Sequence, residues 1–406
     1  MRIETHTPVV ILRAVAHGPL GIVRSLGRLG VPMYVVDPDP RTPAAASRYC
    51  RRQFHFDVET LPPDQAIGAL RAVARAIGRR AILVPTTDPA TVLVDAHADE
   101  LRDTFLLPDS PRNLAWTLSS KEEMYHLARR FDVPTPACVF PRCRQDVVDF
   151  IGTVPPFPVM MKGIDGVRLQ QRGGARMFLV REPDELLARW EALEDPTRPN
   201  LMLQEYIPGG EDSVWMFNGY FDARSDCVLG FTGKKLRQYP AYTGATSLGV
   251  CVANDEVAAV TKRFMKAIGY RGILDIGYRY DARDGAYKVL DVNPRIGATF
   301  RLFVADNGMD VARALYLDLT GQPVPGGTMT EGRKWIVEDH DVVSSLRYRR
   351  DGRLTLGAWL RSLRGIHEAA YLASDDRRPL VAMCARDARE FVHRLAGRAR
   401  RHALPA

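Results

Sequence analysis

The chain has 406 residues, 46% hydrophobic and 26% charged, with a formal net charge of +8. That length exceeds one typical core and points to two or three domains, with enough apolar material to fill them. No uncharged apolar run reaches 18 residues and the opening residues carry no secretory pattern, so no membrane span is expected and the cytoplasm is the expected location.

The first elements read as strand, turn, helix, strand. Val9-Val10-Ile11-Leu12 is a short apolar run, and His17-Gly18-Pro19-Leu20-Gly21 follows as a turn. Ile22, Val23, Leu26 and Leu29 then recur at helical spacing up to Gly30. Met33-Tyr34-Val35-Val36-Asp37 is a second strand ending in an acid, which completes a βαβ start. Residues 81–84 form another buried strand that closes on Pro85-Thr86-Thr87-Asp88. Gly18 and Gly21 do not make a GxGxxG, so a structural βαβ unit is favoured over a nicotinamide site.

Near residue 115 the texture changes. A helix opens with Ser119 or Ser120 as cap and Glu122 and Glu123 in its first turn, runs to about Phe131, and is stopped by Val133-Pro134-Thr135-Pro136. A second helix covers residues 144–151. Strands are expected at residues 157–162 and 175–180, separated by a polar loop with Gly163, Gly166, Gly173 and Gly174 that would act as a mobile lid. A helix at residues 183–193 and a strand at residues 200–207, ending in Pro208-Gly209-Gly210, come next. Further strands fit residues 212–218, 228–232 and 272–280, with a helix at residues 255–268. The last of these strands and residues 287–293 are joined through Asp281-Ala282-Arg283-Asp284-Gly285 as a hairpin. From residue 328 the chain is a mixed, Arg-rich tail. Residues 386–401 read as a basic terminal helix with apolar Phe391, Val392 and Leu395, solvated or in weak contact with a membrane surface.

The residues that carry chemistry cluster on this framework. Asp275 lies on one hairpin strand and Asp291 on its partner, and Asn293, two residues on, shares the face of Asp291. Three oxygen donors suit a hard cation such as Mg²⁺, and Arg295 follows where it can meet a phosphate or a developing oxyanion. Lys121 lies at a helix start and Lys162 ends an apolar strand before the glycine-bearing loop, which is not a Walker P-loop. The run Gln204-Glu205-Tyr206-Ile207-Pro208-Gly209-Gly210-Glu211 can offer backbone groups to an adenine edge and a carboxylate to ribose hydroxyls. Six cysteines, Cys50, Cys138, Cys143, Cys227, Cys251 and Cys384, lack zinc spacing and are expected as reduced thiols. His17, His126 and His340 are lone histidines with structural roles. The positive charge is not gathered in a nucleic-acid module, so no nucleic-acid partner is expected; it suits anionic small molecules.

Taken in order, Ser119-Ser120-Lys121, the strand from Pro158 to Gly163, the run from Gln204 to Glu211, Gly272-Ile273-Leu274-Asp275, and Leu290-Asp291-Val292-Asn293-Pro294-Arg295-Ile296-Gly297 resemble the ATP-grasp superfamily in its carboxylate–amine (or thiol) ligase branch. Within it the combination is most similar to D-aspartate ligase-like enzymes. The resemblance covers roughly residues 5 to 325. It implies an α/β chain: an N-terminal Rossmann-like (pre-ATP-grasp) domain over residues 1–115, and two α+β subdomains of an ATP-grasp fold over residues 116–327, with a small lid subdomain at about 155–205. Residues 328–406 would then be a basic, α-rich extension.

The resemblance also implies roles. Lys121 and Lys162 would hold ATP phosphates. Gln204, Glu205, Tyr206, the Ile207 backbone and Glu211 would hold adenine and ribose. Asp275, Asp291 and Asn293 would bind Mg²⁺, with Mn²⁺ able to replace it, and Arg295 would stabilise acyl-phosphate and tetrahedral species. Lys235 and Arg237 would serve phosphates and an acceptor carboxylate. Asp275 and Asp291 depart from the Glu common at these positions; one metal ion is expected, a second less firmly held. The expected partners are a small carboxylate and an amine of amino-acid or peptide type, in a chain compatible with a homodimer. Two other readings stand beside the ligase: a silent ATP-binding sensor or scaffold, and an NAD(P)-dependent oxidoreductase using the N-terminal domain.

Overall fold

The computed structural model describes residues 3–14, 17–153 and 157–389. The basic helix expected at residues 386–401 falls mainly outside them. By internal contacts the chain divides into two units. The first combines Met1–Ala115, Met216–Asp275 and Asn293–Ala406, and the second Trp116–Trp215 and Ile276–Val292.

The N-terminal part of the first unit is a parallel sheet of β1 (Val9–Leu12), β2 (Met33–Val36), β3 (Cys50–Phe54), β4 (Ala81–Pro85) and β5 (Phe105–Leu106), in the order β3-β2-β1-β4-β5. All four β1 side chains are buried, which is why the strand is an unbroken apolar run. Alternation still sorts them. Val9 and Ile11 join the cluster with Leu20, Val23 and Leu26, while Val10 and Leu12 join Leu70, Val73 and Val94 on the other face. The strand order reverses between β1 and β4, so their carboxyl ends, Arg13 and Thr86 to Asp88, flank a switch point.

The segment from His17 to Gly21 is not a turn: a helix runs over His17–Gly27. Pro19 is tolerated because the first helical N–H groups have no partner within the helix. The glycines serve close packing. A Cβ on Gly18 would lie 3.0 Å from Ala298 Cα, and one on Gly21 2.8 Å from the Phe300 ring.

The second unit holds an antiparallel sheet of β6 (Cys138–Val139), β7 (Val159–Gly163), β8 (Met177–Val180) and β9 (Leu201–Glu205), in the order β6-β9-β7-β8. Met161, Leu169, Val180, Leu186 and Leu203 form its core. The glycine-bearing segment after β7, expected as a loop, contains a helix over Gly166–Gly173. Asp165 Oδ1 accepts the N–H groups of Val167 (2.9 Å) and Arg168 (3.1 Å), and Gly174 ends the helix with φ of 79°. Two backbone donors that a phosphate loop would present are thereby bonded to a carboxylate.

A seven-stranded sheet comprises β10 (Val214–Phe221), β11 (Cys227–Tyr239), β12 (Ala245–Cys251), β13 (Gly272–Asp281), β14 (Ala286–Asn293), β15 (Lys334–Ile336) and β16 (Ile366–Ala369), in the order β14-β13-β10-β11-β12-β15-β16. The C-terminal segment, expected to be α-rich, therefore also supplies two strands. β15 pairs antiparallel with β12, and β16 parallel with β15. Helices over Glu338–Arg350, Leu356–Ser362 and residues 378–389 complete that segment.

Buried ion pairs tie the C-terminal segment to the rest of the first unit. Arg24 binds Asp376 through Nε at 3.0 Å and also donates to the carbonyls of Ala370, Tyr371 and Asp376. Arg237 Nε and Nη2 meet the two oxygens of Asp341 at 2.7 and 2.9 Å, and both residues are at most 5% exposed. Removing one partner leaves the other charge buried and uncompensated. Asp341→Ala is expected to cost about 3–5 kcal/mol in urea unfolding. The double replacement Arg237→Met with Asp341→Leu should recover more than half of that loss. Equal stability of Asp341→Ala and wild type would show the pair to be unimportant.

Candidate active site

The second unit gathers the residues expected to hold nucleotide. β9 ends at Glu205, which is 5% exposed. Its carboxylate accepts the Ala137 N–H at 2.9 Å, Arg283 Nη2 at 2.8 Å and Lys288 Nζ at 3.1 Å. Arg283 and Lys288 also bind the buried Asp281, and the Arg283 contact foremost holds that carboxyl well below its usual range. The Glu205 side chain is thus bonded within the protein. Past the strand, Arg279 Nε donates to the Ile207 carbonyl at 2.8 Å and Nη2 to that of Gly209 at 2.7 Å, with its guanidinium 5.8 Å from the Tyr206 ring centre. Glu211 opens a short 3₁₀ turn, Glu211–Ser213, and is partly exposed.

Lys162 lies on β7 opposite Met202, one diagonal from Gln204 on the same face. Its Nζ donates to Gln204 Oε1 at 2.9 Å. Lys121, at the start of the helix Lys121–Arg130 capped by Ser120, donates to the Ile164 carbonyl at 2.8 Å. The two ammonium groups repel. Burial first, and then Lys121, lower the Lys162 pKa to about 8, against the opposing pull of Asp291. Two neighbouring cations at a strand end, one of them poorly solvated, form a site that gains from an anion.

The first unit carries Asp275, Asn293, Arg295, Lys235 and Arg237, while Asp291, on β14, belongs to the second. The Asp275 carboxylate lies so close over Gly297 that a Cβ there would stand 2.3 Å from its Cγ. Arg295 donates from Nε to Asp88 Oδ1 at 2.6 Å, from Nη2 to Asn293 Oδ1 at 2.9 Å and Asp88 Oδ2 at 3.3 Å, and from Nη1 to the Ile296 carbonyl at 3.4 Å. Asp88 begins the helix Asp88–Ala96 just after β4. Sequence pattern does not single it out; the signal for it is its place at the carboxyl end of a strand beside the switch point. Lys235 donates to the Gly244 carbonyl at 3.2 Å. Arg237 donates to both oxygens of Asp341 and to Ser362 Oγ at 2.7 Å.

Among the described residues no group of three or more His, Cys, Asp or Glu side chains could hold a metal. The expected set is of another kind: two carboxylates, Asp275 and Asp291, and the Asn293 amide oxygen. Oxygen donors of this kind fit Mg²⁺.

His17 and His340 are not lone. Their ring centres are 6.1 Å apart; His17 packs on Trp335 at 5.2 Å, and His340 stacks on Tyr239 at 4.2 Å. His17 is 5% exposed and neither ring nitrogen is hydrogen-bonded among the described residues. Burial foremost, aided by His340 and Arg386, lowers its pKa to about 3.

No family profile matches the chain. The D-aspartate ligase of Enterococcus faecium (strain Aus0004) is 26% identical over 243 residues, which cover 58% of this chain and 58% of that protein. The match thus spans well under two thirds of that relative. The ADP complex of N5-carboxyaminoimidazole synthetase from Staphylococcus aureus superposes with a TM-score of 0.64 at 10% identity, covering 86% of this chain and 88% of that one. The L-amino acid ligase from Bacillus licheniformis gives 0.58 at 15% identity, over 78% and 75%. The chain thus shares its fold with these two enzymes.

Two outcomes follow from the buried titratable groups. Lys162→Met removes a charge that costs stability in the unliganded protein. It is expected to raise the melting temperature by about 2–4 °C while abolishing the further stabilisation given by Mg-ATP; a lower melting temperature with ATP stabilisation intact would contradict the assignment. His17 has its folded pKa below its unfolded value of 6.5, so its neutral burial is fully favourable above 6.5 and is lost as pH falls toward 3. Between pH 7 and 5 the wild type should lose about 2 kcal/mol relative to His17→Phe in urea titrations. Parallel pH profiles would show that His17 does not carry that loss.

Proposed function

We propose that the chain is an ATP- and Mg²⁺-dependent ligase that activates a carboxylate as an acyl phosphate and joins it to an amine, releasing ADP and phosphate. The observation that carries this reading is the Lys121–Lys162 pair, whose repulsion and poor solvation an ATP polyphosphate would relieve. The backbone of the run from Gln204 to Ile207 and the Glu211 carboxylate would take adenine and ribose. Asp275, Asp291 and Asn293 would hold Mg²⁺, which supplies charge neutralisation on the phosphates.

A carboxylate oxygen attacks the γ-phosphorus, the bond to the β–γ bridging oxygen breaks, and ADP leaves. The amine nitrogen then attacks the acyl carbon, loses a proton, and the carbon–oxygen bond to phosphate breaks. A free carboxylate cannot react in this way because its leaving group is poor. The protein positions the groups and offsets charge. Arg295, held by Asp88 and Asn293, would stabilise the acyl phosphate and the oxyanion of the tetrahedral species. Lys235 would assist on phosphate.

Phosphate release from Mg-ATP against pools of carboxylic acids and amines tests this. Asp291→Ala and Arg295→Ala are each expected to lower turnover by at least about 100-fold. Retained activity in either variant would refute its assigned role. ADP release at background across a broad panel would favour a silent nucleotide sensor or scaffold, and thermal stabilisation by NAD(P) but not by Mg-ATP would favour an oxidoreductase.

A further inference from the structure

A cavity of about 320 Å³ lies in the first unit, lined by the end of β4, the helix Asp88–Ala96 and the start of β13, and Arg295 forms part of its wall. That volume is roughly twice the ~150 Å³ of an engineered cavity that binds benzene, and within the range of ligand pockets. Its apolar lining is well buried: Val84, Val94, Leu107, Ile273 and Leu315 are each at most 7% exposed.

The charges are sorted by depth. Asp99 and Asp109 stand at the rim with side chains 81% and 71% exposed, and Asp109 is shared by Arg102 and Arg271. Asp95 accepts the Ala115 N–H at 3.3 Å, and burial pushes its carboxyl pKa up, which weakens it as a partner for a cation. The most buried of the lining guanidinium groups is that of Arg295, at 18%. A largely buried guanidinium in the wall, already bonded to Asp88, beside a cluster of buried apolar side chains suits an anionic head on an apolar body. Arg102 and Arg271 also line the cavity but share Asp109, and Arg112 meets Asp99, so a dicarboxylate's second charge would have to displace one of those acids or lie unpaired against Val94 and Ile273, which is unfavourable.

Resting on the ligase reading above, we infer that the acid this protein activates has an apolar body seated in this cavity, with its carboxylate toward Arg295. The body has room for one ring or a chain of several carbons, and aspartate is a poor substrate.

Phenylacetate, hexanoate, D-aspartate and L-aspartate, titrated into the full chain by calorimetry without nucleotide, test the cavity. The same acids in the phosphate-release assay with mixed amines test the substrate role. Phenylacetate or hexanoate should bind at least tenfold more tightly than either aspartate. Ala98→Trp and Val94→Trp, which fill the cavity, should weaken that binding tenfold or more while ADP still binds and the circular dichroism is unchanged. Aspartate binding or turning over as well as the apolar acids overturns the inference. So does a folded Ala98→Trp protein with wild-type affinity for them. Apolar acids that bind in the cavity but yield no ADP with any amine overturn the substrate role through the ligase reading. Aspartate turnover indifferent to Ala98→Trp overturns the cavity assignment and leaves the ligase reading standing.

Discussion

Glu205 ends β9 with a carboxylate almost wholly removed from water, and three donors from separate places converge on it: the Ala137 N–H, Arg283 and Lys288. A lone carboxylate at that depth would be strongly unfavourable. Here the same two cations also serve Asp281, and Lys288 meets Asp284 as well, so three acids and two bases form one network. Burial works against the Lys288 charge, but its bonds to Asp281, Asp284 and Glu205 outweigh it and raise its pKa. The consequence is positional. The backbone leaving β9, from Tyr206 to Gly209, starts from a fixed point, and Arg279 pins its next carbonyls. The proposed nucleotide run is therefore rigid at its root, and its usable groups are backbone ones because the side chain named in the motif is the anchor.

Lys162 shows the opposite economy. Glu205 is satisfied and inert, whereas Lys162 is left beside another ammonium with one neutral hydrogen-bond acceptor. Such a local conflict lowers the stability of the unliganded protein and marks a place where a ligand completes the structure. The contrast separates structural from functional charge in one small unit. It also explains Arg237, which sequence order places among acceptor-binding residues but which meets a matched, buried carboxylate.

Much of the fold was legible because burial on both faces writes itself as apolar runs. β1, β2 and β4 are of that kind, and the hairpin of β13 and β14 is announced by its turn residues. The helix over Pro183–Leu193 was legible from Pro183 at its first position. What was not legible depends on distant partners. β3, with the pattern Cys-Arg-Arg-Gln-Phe, has no fully buried residue. β15 has three residues and gains its identity from β12. The helix over Gly166–Gly173 was hidden by its glycines, of which Gly163 just before it is required by contact: a Cβ there would sit 2.8 Å from Leu169 Cβ. The proposed site residues Lys121, Lys162, Asp275 and Arg295 could be named from order and spacing, but Asp88, 207 positions from Arg295, could not.

That long-range pair bears on how an acid would be chosen. Arg295 is bonded on one side to Asn293, in the proposed metal set, and on another to Asp88, which closes β4. Its guanidinium is therefore held in a fixed plane, and the cavity beside it has walls from β4, the following helix and β13 that are set by the same packing. On the proposed reading, reaction chemistry and acid recognition would share one cation. A residue in that position cannot be tuned for one role without disturbing the other, whereas Val94 and Ala98, which line the cavity from the helices after β4, can vary in size without touching Arg295's hydrogen-bond partners. If the proposed reading holds, the demand of the reaction would fall on charge, and the choice of acid on apolar shape.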